Sequence, residues 1–133
     1  MEPETRVAIN REPDIVVARQ QGRDLAAELG FSPGDLALIA TAISEITRNV
    51  IAYATRGEMT IRIVRQEKRR GIEIVVQDEG PGIANLPQAM QDGYSTGGGL
   101  GLGLPGARRL MDEFEIDSQV GRGTRVVMRK WSR

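Results

Sequence analysis

QDEGPGIANLPQAMQDGYSTGGGLGLGL, residues Gln77–Leu104, is glycine-dense at both ends. It opens as Asp-x-Gly-x-Gly at Asp78, Gly80 and Gly82, and it closes with Gly97, Gly98, Gly99, Gly101 and Gly103. Glycine loses more backbone entropy on folding than any other residue, so two such clusters need a geometric reason. Tight turns, or N–H groups brought close to a ligand, are one reason. Two plain loops are the bland alternative. What lies on either side decides between them.

Upstream, Met59–Gln66 alternates Met59, Ile61 and Ile63 against polar residues, and Ile72–Val76 (IEIVV) follows a turn at Lys68–Gly71. This pair reads as an antiparallel hairpin that delivers the chain to Asp78. Downstream, Leu104–Glu113 has helical spacing, and Pro105 fits a first turn. Phe114–Gln119 and Thr124–Trp131 read as two final strands joined by the turn Val120–Gly123. Before the hairpin, Met1–Thr5 reads as a tail and Arg6–Asn10 as a short strand suited to a sheet edge. A helix then runs from Asp14 to about Leu29 and stops at Gly30. Gly22 in its middle is either a close-packing point or a tolerated weak spot. Ser32-Pro33 starts a second helix, with an N-cap hydroxyl followed by proline at the first helical position, and this helix reaches about Ala54.

That order predicts an α/β two-layer sandwich: a mixed, mostly antiparallel sheet with helices on one face. One domain spans residues 1–133, with a tail at 1–5. A doubly wound nucleotide fold needs strands alternating with crossover helices, and no strand here leads into Gly-x-x-x-x-Gly-Lys-Ser/Thr.

The second helix carries an unusual face. Leu36, Ile39, Ala40, Ile43, Ile46, Val50 and Ile51 form the core stripe. On the other side, Glu45 and Asn49 are neighbours one turn apart and share a stripe with Leu38, Ala42 and Ala52. From Leu36 to Ala54 only Glu45 and Arg48 are charged. The pattern predicts a helix covered on two sides, with Glu45 and Asn49 entering the second cover.

Composition removes several chemistries. There is no histidine, so a histidine base, phosphoacceptor or ligand is excluded, and no cysteine, so disulfides and thiolate metal sites are excluded. Lys+Arg and Asp+Glu are 18 each, which argues against a strongly basic nucleic-acid binder. The polar Met1–Asn10 does not read as a signal peptide, and the uncharged run Leu36–Ser44 is too short to span a bilayer. The expectation is a cytoplasmic protein that binds neither membrane nor nucleic acid.

Four features then need one explanation: Glu45 with Asn49, Asp78 with its glycines, the glycine-rich entry to the third helix, and Gly121-x-Gly123-Thr124. A helix N-terminus preceded by glycines suits an anion. An Asn oxygen suits Mg²⁺, which usually keeps waters and shares substrate phosphates. A neighbouring Glu suits proton acceptance from a hydroxyl. An Asp beside glycines suits an exocyclic amine such as that of adenine. Taken singly, each is more simply a surface carboxylate, a helix amide or a turn residue.

Together, and in this order, the four resemble the N, G1, G2 and G3 boxes of the GHKL ATPases, the Bergerat-fold family of gyrase-, Hsp90-, histidine-kinase- and MutL-like proteins. The likeness covers about residues 7–131. The run from Asp92-Gly93-Tyr94-Ser95-Thr96 through Gly101-Leu102-Gly103-Leu104-Pro105-Gly106 to Arg109-Leu110-Met111-Asp112-Glu113-Phe114 resembles, more specifically, the RsbT-type switch kinases of stressosomes, which are related to anti-sigma factors.

The resemblance implies that Asp78 binds the adenine amino group, with Gly80, Gly82 and Thr124 around the base. It implies that Asn49 holds Mg²⁺, that residues 83–98 form an ATP lid, and that Gly97, Gly98, Gly99, Gly101 and Gly103 contact the nucleotide. Glu45 would be the catalytic base, and Arg48 ranks lower as a contact to the γ-phosphate. The implied activity is ATP-dependent phosphorylation of Ser or Thr on STAS-domain partners, followed by binding and activation of a PP2C-type phosphatase. The alternatives are an anti-sigma factor that sequesters a sigma subunit, a nucleotide-gated binding module without significant catalysis, and a small structural domain that binds no nucleotide.

Overall fold

The computed structural model describes residues 4–54, 56–82 and 103–132. In chain order these form β1 (Glu4–Ile9), α1 (Pro13–Glu28), α2 (Pro33–Tyr53), β2 (Gly57–Gln66), β3 (Arg69–Asp78), α3 (Gly103–Leu110), β4 (Glu113–Gln119) and β5 (Gly123–Trp131). The strands make one five-stranded sheet in the order β1-β2-β3-β5-β4. Every pairing in it is antiparallel. β5 therefore inserts between β3 and its own hairpin partner β4, and β1 takes the far edge.

Alternation along the strands sorts side chains to two faces. Val7 and Ile9, Met59 and Ile61, Ile72, Ile74 and Val76, and Val126 and Met128 face the helices and join Ala18, Ala26, Ile39, Ile43, Ile46, Val50, Leu104 and Ala107 in a single core. The helical layer lies on this face, as the pattern of apolar residues requires. Helix α2 runs through its middle. Its length and composition alone would suffice to cross a bilayer, but half of it is buried inside this fold. Its start is the expected one: the Ser32 hydroxyl accepts from the Asp35 N–H at 3.1 Å, with Pro33 at the first helical position. Gly22 is a close-packing point, because a Cβ there would run into the Ile43 side chain of α2.

Charge organises the opposite face. Register aligns Glu4, Arg62, Glu73, Arg129 and Glu113 across all five strands. Glu73 accepts from Arg62 Nε and Arg129 Nε, each at 2.7 Å, and Arg129 Nη1 donates to Glu113 at 3.0 Å. Glu73 is only 5 % exposed, although no helix among the described residues packs over it. Long side-chain stems cover the central strands here, a use of arginine that does not depend on its charge alone.

Three of the boundary differences from the sequence pattern have a visible cause. β1 begins at Glu4 rather than Arg6, because Glu4 and Thr5 pair with Arg62 and Ile61. The hairpin turn is only Glu67–Lys68, so β3 starts at Arg69 and Gly71 lies inside the strand opposite Val64. Helix α3 ends at Leu110 rather than Glu113. There the buried Lys130 Nζ donates to the Leu110 carbonyl at 2.8 Å and the Asp112 N–H joins Arg129 O at 3.0 Å, which starts β4.

Candidate nucleotide and phosphoryl-transfer site

Asp78 ends β3 on the helix-facing side of the sheet. Its Oδ1 accepts from the Gly80 N–H at 2.9 Å and from the Thr124 N–H at 3.2 Å. The first bond closes an Asx turn within the Asp-x-Gly segment. The second ties the side chain to β5, 46 positions later. Oδ2 has no protein partner among the described residues. The arrangement fixes the plane of the carboxylate and leaves one acceptor oxygen for something that is not protein.

The surroundings hold this turn against α2 on one side and the β4–β5 turn on the other. Gly57 lies opposite Asp78 in the β2–β3 register, and a Cβ there would sit 2.8 Å from Val50 Cγ1 and 3.3 Å from Asp78 Cβ. A Cβ at Gly80 would sit 2.6 Å from Ala54 Cβ. Asp78 and its turn therefore rest against the last turns of α2, beginning one residue after Asn49. On the other side, the Gly121 N–H donates to Pro81 O at 2.9 Å. Gly82 (φ 78°) and Gly123 (φ 115°) are in backbone conformations that L side chains seldom adopt. A Cβ at Gly82 would also strike the Gln119 carbonyl, and one at Gly123 the Asp78 carbonyl. Thr124 acts on Asp78 through its backbone, while its hydroxyl shares a 2.8 Å hydrogen bond with that of Ser118.

Glu45 and Asn49 lie on α2 one turn apart, as their spacing predicts. Glu45 is 5 % exposed and Asn49 is half-buried. Burying a carboxylate is costly unless it is paired. Arg48, three residues on, supplies a cation: its Nη1 donates to Glu45 Oε1 at 3.2 Å. The Asn49 amide has no hydrogen bond to the described residues. Its free carbonyl oxygen is the kind of neutral donor that Mg²⁺ accepts. No group of three or more acidic residues that could hold a metal occurs among the described residues, so a divalent ion here would depend on Asn49, substrate phosphate and water.

Gly103 is the first residue of α3. Gly97, Gly98, Gly99 and Gly101, and the segment 83–98 expected as a lid, lie outside the described residues. The structure thus brings Asp78, Gly80, Gly82 and Thr124 together, and places them at the end of the helix bearing Glu45 and Asn49. Two supporting features were not singled out from sequence: Gly57, which lets Asp78 approach α2, and the Glu45–Arg48 pair. The second had a readable signal in the i, i+3 spacing of opposite charges.

The chain that folds into this antiparallel sheet under one helical layer matches, over residues 10–130, the family described as "Histidine kinase-like ATPase domain". The chain belongs to that family, and ATP binding goes with membership. Over all 133 residues, and the whole of the relative, it is 49 % identical to the serine/threonine-protein kinase RsbT of Bacillus subtilis strain 168. It is 30 % identical to the anti-sigma F factor of Clostridium beijerinckii, covering 92 % of this chain and 89 % of that one, and 36 % identical to that of Caldanaerobacter subterraneus subsp. tengcongensis, covering 80 % and 77 %. The solved mycobacterial sensor histidine kinase MprB superposes with a TM-score of 0.57 over 100 % of this chain and 99 % of that one. At 17 % identity that likeness is one of fold alone.

Proposed function

We propose that this RsbT-type serine/threonine kinase transfers the γ-phosphoryl group of ATP to a Ser or Thr hydroxyl on a STAS-domain partner in a bacterial stress-response switch. The released kinase then binds and activates a PP2C-type phosphatase. The observation that carries the catalytic part is the buried carboxylate of Glu45, one helical turn from the open amide of Asn49 and on the helix that abuts Asp78. Asp78 Oδ2 accepts from the adenine amino group, and the Gly80 and Thr124 N–H groups hold the carboxylate in place through its other oxygen, Oδ1. Gly82 keeps the floor under the base free of side chain. Gly103, with Gly97, Gly98, Gly99 and Gly101, offers backbone donors to the phosphates. Asn49 would hold Mg²⁺ through its amide oxygen, and the ion would supply charge neutralisation at the phosphates. Glu45 takes the proton of the partner's hydroxyl as its oxygen bonds to the γ-phosphorus and the bond to the β-phosphate oxygen breaks, which leaves ADP. Positioning and charge stabilisation do most of the work in such transfers, so this short set of groups is sufficient.

Transfer of radiolabelled phosphate from ATP to a co-purified STAS partner tests the reading. Glu45→Ala is expected to slow transfer by about 10²–10⁴-fold, the usual worth of a general base, with ATP binding retained. Transfer at the wild-type rate by that variant would remove Glu45 from the mechanism.

Relatives that are anti-sigma F factors favour a second reading, in which the chain sequesters a sigma subunit. Capture of a sigma subunit and no STAS protein in a pull-down would establish it in place of the first.

A further inference from the structure

The end of the sheet remote from Asp78 carries a compact basic patch. β2 and β3 meet there in the sequence Arg65-Gln-Glu-Lys-Arg-Arg70, four cations and one carboxylate in a chain whose formal net charge is zero. Register sets Arg65 opposite Arg70 and Gln66 opposite Arg69. Like charges directly opposite each other disfavour a hairpin. The turn also departs from the most stable chemistry for two residues, which is Asn-Gly or Asp-Gly. Here Glu67 takes φ 55° without being a glycine. Hairpin stability alone does not select this tip.

One of its cations is pre-organised. The Arg69 guanidinium carbon stands 4.4 Å from the centroid of the Trp131 ring. Its Nη2 donates to Gln66 Oε1 at 3.0 Å, which occupies one of its five N–H donors. The others have no protein partner among the described residues. Trp131 is itself buried and anchored, its Nε1 donating to Glu113 at 2.6 Å. The Ser132 N–H joins Arg70 O at 2.8 Å and extends the chain alongside β3. A cleft of about 470 Å³ lies here, lined by Glu67, Lys68, Arg69, Arg70 and Ser132. A guanidinium held over an aromatic face, with donors to spare, is suited to bidentate capture of a carboxylate.

We propose that this hairpin tip, anchored by Arg69, is a docking site for an acidic segment of a protein partner. Charge complementarity identifies the occupant. The cleft is lined by three cations, Lys68, Arg69 and Arg70, against the single carboxylate of Glu67, which matches a short run of Asp and Glu, whereas a nucleic-acid backbone calls for a basic surface broader than one hairpin on a neutral chain. β3 separates the patch from Asp78 by nine residues, roughly 30 Å at the rise of a strand. A partner held at the tip leaves the nucleotide end uncovered, so both can be bound at once. The inference is independent of which partner is phosphorylated.

Fluorescence anisotropy of labelled hexaglutamate at low salt, about 50 mM, tests it with full-length protein. The variants are Arg69→Glu/Arg70→Glu and, with the same change in net charge on the exposed face of α1, Arg19→Glu/Arg23→Glu. Wild type and the α1 variant are expected to bind alike. The hairpin variant is expected to bind at least about tenfold more weakly, with an unchanged ATP-induced rise in melting temperature that shows it is folded. The proposal is overturned if wild type does not bind the peptide, if both double variants lose binding equally, or if a labelled oligothymidylate competes the peptide off as the tighter ligand.

Discussion

Arg48 Nη1 lies 3.2 Å from Glu45 Oε1, which pairs a side chain 40 % exposed with one 7 % exposed. The cation therefore sits on the solvent side of the carboxylate and sets its orientation on the helix. On this geometry Arg48 is a positioning residue for Glu45. Arg48→Ala is expected to lower kcat for phosphoryl transfer about tenfold, within the range of a charge-assisted hydrogen bond, and to leave KM for ATP within about twofold. Arg48→Lys keeps a cation at that place and should recover much of the loss. A change in KM for ATP with constant kcat would place Arg48 on the nucleotide instead.

Asp78→Asn separates binding from folding. The amide oxygen can still accept from Gly80 and Thr124, while an NH₂ group replaces the open Oδ2. Two donors would then face each other at adenine. One unmade buried hydrogen bond costs about 1–3 kcal/mol, so ATP affinity by calorimetry should fall about 5–150-fold with the melting temperature of the free protein nearly unchanged. Equal affinity in wild type and variant would remove Asp78 from the nucleotide site.

Gly123 and Gly121 share a turn and a positive φ, 115° and 83°. They differ in their surroundings: a Cβ at Gly123 would meet the Asp78 carbonyl, whereas one at Gly121 would meet nothing within 4 Å. Gly121→Ala should cost only the backbone penalty, about 1–2 kcal/mol. Gly123→Ala adds a clash with main chain that cannot rotate away, and it should lower stability further and weaken ATP binding by moving Asp78. Urea denaturation of the two variants in parallel checks the order, and equal midpoints would contradict it.

Glu73 links the acid response of the protein to the outer face of the sheet. Burial pushes its carboxyl up, but hydrogen bonds from Arg62 and Arg129, with their charges, outweigh that and hold it below its ordinary 4.5. A carboxylate depressed in this way contributes stability that is fully present above the unfolded value and is lost as pH falls through the folded one. Wild-type stability should therefore decline on acidification below about pH 4.5, and Glu73→Gln should show a flatter profile in that window. Because the two guanidiniums are partly exposed, water screens the pair and the difference should shrink in high salt. Parallel profiles for wild type and variant would show that acid unfolding is governed by other groups.

Much of this molecule is written in local sequence. Ser32-Pro33 and the apolar stripe from Leu36 to Ile51 set the start and buried face of α2, and the spacing of Glu45 and Asn49 sets them side by side, because such signals act within a turn or two of helix. Alternation in Met59–Ile63 and Ile72–Val76 shows the hairpin for the same reason. Residues 97–101 were legible only as glycines leading to a helix and lie outside the described residues. Tertiary structure alone decided that β5 lies between β3 and β4, and so that the Thr124 N–H reaches Asp78 Oδ1 across 46 positions. It also aligned five charges from separate strands across the outer face and brought Trp131 under Arg69. Strand order and register depend on long-range pairing and on burial against the helices, and neither leaves a mark in the few residues around any one position.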